Sequence, residues 1–451
     1  MADHQFWMLD GCFWCKNMNV LIISNYFSPQ ESVGAQRPNA MCRYFSEEGD
    51  RVFVISTPKG TGALRAELGG GDVSVYSVGY WGSVQKIDLV DGRFDVKKNV
   101  KKNKLLSVLK GTHRRLKKNI FCNFLDPRSL WVPSAVRVAR RLIMQFGIDL
   151  IISSSPAYPV HLVASRLKRE FPKVFWSADY RDLWSGNPFF TGIDLFKNLE
   201  IKNEIACLRH ADVITTVSHA LADYLSQLHG KEAVVYTNGY ESRDVKEKSE
   251  SCVTSSGLPR KLVYTGAYID HLYDIRPFLK ALEMVSAHVK QSQLQVIFIG
   301  DNDAIKEKAR QYPVAFSYIQ FLGQVNREDA LEAQVGADLL LFFGAQENGG
   351  KAIKGVVSGK IFEYMISRTE IMAIGTSSDM EVGKIIQELQ AGACYENDSD
   401  LIAKRIFDLV RDGKKECHID PLLLSSFRRD VITKKMRQDL ISRMRDRDKV
   451  V

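Results

Sequence analysis

Short apolar runs separated by stretches of helical period recur along almost the whole chain. The runs "NVLIIS" (19–24), "VFVIS" (52–56), "DLIISS" (149–154), "VFWSAD" (174–179), "DVITTV" (212–217) and "AVVY" (233–236) each have the length of a buried strand. Between the first two, the pattern predicts a helix over about 36–48, with Gly49 as its stop. Residues 246–259, "KEKSESCVTSSGLP", are polar and turn-rich and read as a linker. After them the alternation starts again with "KLVYTG", "LQVIFIG", "YIQFLG", "DLLLFFG" and "IMAIG", each run ending in glycine. Alternating strands and helices predict parallel, doubly wound sheets, and the interruption predicts two of them. The fold class is therefore α/β, with two Rossmann-like domains facing each other across a cleft. The boundaries read as an extension over 1–17, a first domain over 18–245, the linker, a second domain over 260–424, and a last segment over 425–451 that reads as a long basic helix.

Length agrees with that division, because 451 residues exceed what one hydrophobic core fills. A formal charge of +9 favours an anionic partner such as phosphorylated ligands, nucleic acid or an anionic membrane surface. Much of the excess sits in an insert of the first domain, 96–119, which holds ten Lys and Arg residues and no acid. That insert reads either as a solvated surface element or as an attachment to anionic lipid headgroups. Neither aromatic platform nor helix-turn-helix accompanies it, so nucleic acid is not an expected partner. No apolar run is long enough to span a bilayer, and the start lacks the pattern of a signal peptide. Eight scattered cysteines suit a reducing compartment. The expected location is cytoplasmic, peripheral to the membrane where the insert binds it. Cys12 and Cys15 form one CxxC, but no second pair or histidine cluster completes a metal site, and none is expected.

The segment "SGKIFEYM" (358–365) carries the most chemistry. Gly359 lets backbone approach a ligand, and the free N–H groups of the following turn form an anion site. Lys360 adds a cation where a helix start disfavours one unless an anion arrives. Glu363 shares a helix face with Lys360 and can accept from paired sugar hydroxyls. A surface Lys–Glu pair is the plain alternative. In the first domain, the loop over 25–36 brings Gly34 and Ala35 close to any ligand, with Arg37 behind them. It reads as a cover for a bound ligand or as a tight turn before the helix. His161 follows the third strong strand, either as a structural hydrogen-bonder or at the active site. Asp179, Arg181 and Asp182 follow another strand end. They either lock their loop by ion pairs or meet a ligand through Arg181 and Asp182.

The string "GKIFEYM", a polar stretch and then "IMAIG" resembles the donor-binding segment of family 4 glycosyltransferases of the GT-B fold. The likeness continues in "NYFSPQESVGAQRP", "SSSPAYPVHLVA", "ADYRDLWSGNP", "ADVITTVS" and "TNGYE", in family order, over about 19–375. The resemblance implies a retaining, metal-independent transfer from a nucleotide sugar, UDP- or GDP-linked, to a glycan or lipid-linked acceptor in polysaccharide biosynthesis, with no other cofactor. It implies that Gly34, Arg37, Gly266, Lys360 and Glu363 bind the donor. It also raises His161 as a catalytic candidate, puts the loop over 25–36 against the donor diphosphate and Arg181 and Asp182 on the acceptor side, and implies that the helix over 425–451 crosses back to the first domain. Two positions depart from the family. Ala267 stands where a basic residue often follows Gly266, which leaves Arg276 as the nearest donor-binding cation. Gly355 stands where the first carboxylate of the E-x7-E pair belongs, which leaves Glu347 as its substitute. A GT-B sugar-nucleotide epimerase and a non-catalytic nucleotide-sugar-binding protein are the alternatives.

Overall fold

The computed structural model describes residues 17–28, 33–57, 71–80, 83–87, 89–90, 93–94, 127–187, 194–245, 259–346, 355–415 and 417–450. The basic insert 96–119, the linker up to 258, Glu347 and the chain ahead of Asn17 lie outside the described residues.

The first sheet has eight strands: β1 (Asn19–Ser24), β2 (Arg51–Ser56), β3 (Val73–Val78), β4 (Val84–Ile87), β5 (Leu150–Ser155), β6 (Phe175–Tyr180), β7 (Val213–Thr216) and β8 (Ala233–Val235). Their order is β8-β7-β6-β5-β1-β2-β3-β4. β1 lies parallel between β2 and β5, with Asn19 opposite Arg51 and Val20 opposite Leu150. Five of the six β1 residues are buried, as a strand covered on both faces requires. α1 (Val33–Glu47) joins β1 to β2 and begins ahead of the expected 36. Gly49 ends that connection with φ 89°. α2 (Val132–Phe146) precedes β5, α3 (Pro159–Glu170) follows it, and α4 (Asp194–Leu208) follows β6. α5 (His219–His229) starts at Ser218, whose hydroxyl accepts from Leu221 N–H, and ends at Gly230 in the left-handed region.

The second sheet holds β9 (Arg260–Thr265), β10 (Leu294–Ile299), β11 (Ile319–Gly323), β12 (Leu339–Phe343), β13 (Ile371–Ile374) and β14 (Gly392–Glu396) in the order β11-β10-β9-β12-β13-β14. Neighbouring strands in this sheet all run parallel. The helices used below are α6 (Arg276–Ser286), α7 (Arg327–Val335), α8 (Lys360–Ser367), α9 (Glu381–Glu388), α10 (Ser399–Asp412) and α11 (Arg429–Val450). One face of the sheet buries Tyr264, Phe298, Phe343 and Leu282; the other buries Val263, Leu340, Ile361 and Met365. These are the two packed faces of a doubly wound sheet.

By contacts the chain forms two compact units, one drawing on residues up to Ser185 and on Arg437–Val451, the other on Thr215–Met436. The end of α11 is held in the first unit by Arg437, which donates twice at 2.7 Å to the fully buried Asp50. Arg447 adds a bond to Lys173 O. Strands β3, β4 and β14 carry no clear apolar run. Only two of six β3 residues are fully buried, and none of β14 is.

Candidate functional site

At the carboxyl edge of the second sheet, β9, β10 and β11 end in Gly266 (φ 97°), Gly300 (φ 116°) and Gly323 (φ 69°). The backbones crowd there: a Cβ on Gly300 would lie 2.7 Å from Gly266 O. Left-handed φ and close approach together require glycine at this rim. Beyond it, α8 begins at Lys360 with Gly359 as N-cap and no side-chain cap bond. Phe362 and Tyr364 anchor the helix below, and Tyr364 Oη accepts from Thr265 N–H at 3.0 Å.

Lys360 reaches back over the rim. Its Nζ donates to Ala267 O at 3.0 Å and to Tyr264 Oη. It stands 4.1 Å from the Tyr264 ring centroid and 5.8 Å from that of Tyr273. A Cβ on Gly266 would come within 2.6 Å of Lys360 Cε, so the glycine is the space the lysine occupies. Part of the side chain remains open to solvent, but protein surrounds the ammonium closely. Burial pushes its pKa down to about 7, opposed by the Glu363 carboxylate. Burial likewise pushes the Tyr264 and Tyr273 hydroxyls up, so both are neutral neighbours. The site therefore holds a cation with no carboxylate touching it.

Glu363 faces another way. Its Oε1 accepts from Arg327 Nη1 at 2.7 Å, while Arg327 Nη2 donates to Asp244 Oδ2 at 2.7 Å. On the Tyr273 side of Lys360 lies a shallow open depression lined by Tyr273, Phe343, Gly344, Ser358, Thr376 and Glu381. Gly355 also lines it at φ 81°, where a Cβ would press on Leu221 at 3.1 Å. A glutamate at this position would be strained, so the missing first carboxylate reflects a different backbone course.

The expected site residues fall into two groups. Gly266, Lys360 and Glu363 gather at one rim. Arg276 does not join them: it is the first residue of α6 and forms a fork with Asp274 at 2.7 and 2.8 Å. The cation expected from the family pattern is thus committed to its own loop.

In the first unit, Arg37 is buried and grips the fully buried Asp179 with Nε–Oδ2 at 3.1 Å and Nη2–Oδ1 at 2.8 Å. Its guanidinium braces α1 against β6 instead of reaching toward a diphosphate. Arg181 donates to Gly34 O at 2.6 Å and to Ser155 O at 3.1 Å, fixing the Gly34 turn, while Asp182 is exposed. His161 has no exposed surface. Its Nδ1 lies 2.8 Å from Ser153 Oγ, which accepts from Trp176 Nε1, and its ring stacks on Tyr180 at 4.6 Å. It is a core histidine tying α3 to β5 and β6, not a group that meets donor.

Sequence reasoning missed Tyr264, Tyr273, Arg327 and Asp244. Tyr264 was within reach, standing two residues before the glycine that ends its strand. Arg327 left no local trace, because its partners are 36 and 83 residues away.

Residues 39–242 match the family model described as Glycosyltransferase Family 4. Three solved structures agree with the fold. Sucrose-phosphate synthase from Thermosynechococcus elongatus is similar at TM-score 0.61 and 13% identity, over 94% of this chain and 98% of that one. The lipopolysaccharide outer core galactosyltransferase WaaB follows at 0.58 and 11%, over 94% and 99%. The trehalose-6-phosphate structure from E. coli bound with UDP-2-fluoro glucose follows at 0.57 and 11%, over 94% and 99%. The fold is therefore GT-B, and the stretch that matches the family model falls within it. No curated protein sequence matches the chain.

Proposed function

We propose that this glycosyltransferase moves a sugar from a nucleotide sugar, UDP- or GDP-linked, to a glycan or lipid-linked acceptor in polysaccharide assembly. The observation that carries the reading is the Lys360 ammonium, which meets only neutral partners over the Gly266 rim at the N-terminus of α8. A diphosphate there would receive a full charge beside the positive end of the α8 dipole. The reaction we propose retains configuration and uses no resident metal ion. The bond from the sugar C1 to the diphosphate breaks, C1 bonds the acceptor oxygen, and the acceptor proton passes to the departing diphosphate. Lys360 offsets the charge that develops on that diphosphate. The depression beside Tyr273 and Glu381 is the space for the sugar. The structure from E. coli named above holds a nucleotide sugar, which supports a donor of that class here.

Melting the purified protein with UDP-, GDP- and ADP-linked sugars tests the donor, since a ligand of the folded state raises the midpoint by mass action. A rise with one nucleotide series, followed by sugar transfer to a glycan or lipid-linked acceptor, is expected. No rise with any of them, or a rearranged sugar nucleotide formed without acceptor, overturns the reading.

An anionic membrane surface is part of the same proposal. The expectation rested on 96–119, and a second feature now supports it. α2 packs on α3 and α3 on α4. Outward they present Arg137 and Arg141, then Arg166 and Arg169, then Lys197 and Lys202. Met144 (72% exposed), Leu199 (41%) and Ile205 (39%) lie among these cations. The one exposed acid of the three helices among the described residues is Glu170, already paired with Arg140. Each cation near an anionic bilayer contributes about 1 kcal/mol. Among the described residues, no helix is long and apolar enough to cross a membrane. Vesicles rich in phosphatidylglycerol are expected to bind the protein, and a variant with Arg141→Glu and Lys202→Glu to bind at least about tenfold more weakly. Deleting 97–118 is expected to weaken binding further. Equal binding to neutral and anionic vesicles would remove the membrane from the proposal.

A further inference from the structure

The Arg327 guanidinium joins two carboxylates that come from different parts of the second unit. Nη1 donates to Glu363 Oε1 on α8, and Nη2 donates to Asp244 Oδ2, each at 2.7 Å. Arg327 is the first residue of α7, behind the N-cap Asn326, whose side chain accepts from Asp329 N–H. A cation at a helix start is disfavoured by the aligned N–H groups, so the position is tolerated because the two carboxylates hold it. Asp244 is the better shielded of the two, with 11% of its side chain exposed against 26% for Glu363 and 45% for Arg327. The arginine is thus pinned on its Asp244 side and presents its other arm to Glu363. Among the described residues, Arg327 engages Glu363 through Oε1 and leaves Oε2 to face away from the guanidinium.

We propose that Arg327 is a positioning residue for sugar-ring selection: held by Asp244, it fixes the Glu363 carboxylate so that Oε2 accepts from the ribose hydroxyls of the nucleotide. The inference rests on the donor reading of Glu363 given above. The planar fork suits this work because it sets direction as well as charge, which a lysine does not. A carboxylate held by one oxygen loses little freedom when a hydroxyl arrives at the other. A ligand without that hydroxyl leaves the aimed oxygen without its bond, and such a loss discriminates more strongly than a lost apolar contact. A merely structural ion pair would stabilise the fold without separating ribose from deoxyribose.

The test measures dissociation constants by calorimetry on the full chain, for uridine and guanosine diphosphates and for their 2′,3′-dideoxy counterparts. Wild type is expected to prefer the ribonucleotide of its series by at least about tenfold, and Arg327→Ala to reduce that preference below about threefold. The affinity of Arg327→Ala for the dideoxy compound is expected to stay near that of wild type, which also reports that the variant is folded. Arg327→Lys should fall between the two, and Asp244→Asn should shift the preference in the same direction by less. A wild-type preference retained in Arg327→Ala overturns the inference. Glu363→Gln separates the two levels. If it loses the preference while Arg327→Ala keeps it, the donor reading stands and Arg327 has no positioning role. If Glu363→Gln keeps the preference, the ribose role of Glu363 falls and the inference falls with it. Failure of wild type to bind either diphosphate overturns both.

Discussion

Replacing Lys360 with methionine is expected to abolish most donor binding while making the protein more stable. The two effects share one cause. The ammonium stands over Tyr264 and Tyr273 and bonds only an uncharged hydroxyl and a carbonyl. Its pKa is lowered from its ordinary 10.5 to about 7. Between those values the unfolded chain holds a proton that the folded chain has released, so stability rises with pH across the interval. Methionine fills a similar volume without a charge, and its stability gain over wild type is greatest at or below pH 7. Donor binding runs the other way. A charged hydrogen bond to phosphate contributes about 1.5–3 kcal/mol, so its loss weakens affinity by roughly 10- to 150-fold. In wild type the free lysine is mostly protonated below about pH 7 and mostly neutral above it. A bound diphosphate favours the ammonium, so donor affinity declines as pH rises past that point and binding takes up close to one proton. Calorimetry at pH 8, in buffers of different ionisation enthalpy, measures the uptake directly. A diphosphate that bound equally well at pH 6 and pH 9 would mean that Lys360 does not serve it, since a guanidinium such as Arg276, paired with Asp274, keeps its charge across that range.

What the amino-acid pattern revealed depends on whether the cause is local. Strands ending in glycine mark a rim where backbone must turn close to a neighbour, and Gly266, Gly300, Gly323 and Gly375 all adopt positive φ. The α8 start was equally legible, because Gly359, Lys360 and Glu363 are set by spacing on one turn. The half-buried β3 and the unburied β14 were not, since a strand without a continuous apolar run resembles a loop. The greatest losses came where chemistry depends on distant partners. Arg37 reads as a cation behind a flexible turn until Asp179, 142 residues on, is found beneath it. His161 reads as a group at a strand end until Ser153 and Tyr180 enclose it. Gly355 looks like a lost carboxylate, but its φ of 81° and the nearby Leu221 show a backbone that has no room for one.

The largest expected loss of stability belongs to Arg37, and it also separates the two roles open to that residue. Arg37→Leu leaves Asp179, which has no exposed surface, with the Ser154 hydroxyl at 2.8 Å as a remaining direct partner. Removing one member of a buried ion pair costs about 3–5 kcal/mol, because the other charge stays behind without water. For a unit of this size, that lowers the melting midpoint by roughly 6–20 °C. Replacing both residues with leucine removes both charges, and much of the loss should be recovered. The loss is expected in the first unit, where amides of β1, β5 and β6 would exchange faster under native conditions. A donor-phosphate ligand would behave differently. Its removal would weaken nucleotide-sugar binding and leave those amides protected, whereas a brace loses protection first and binding only through the shifted Gly34 turn. Hydrogen exchange on Arg37→Leu and on the double variant therefore decides the matter. If the single change left β6 as protected as in wild type, the buried pair would not be what holds α1 to the sheet, and Arg37 would return to the donor.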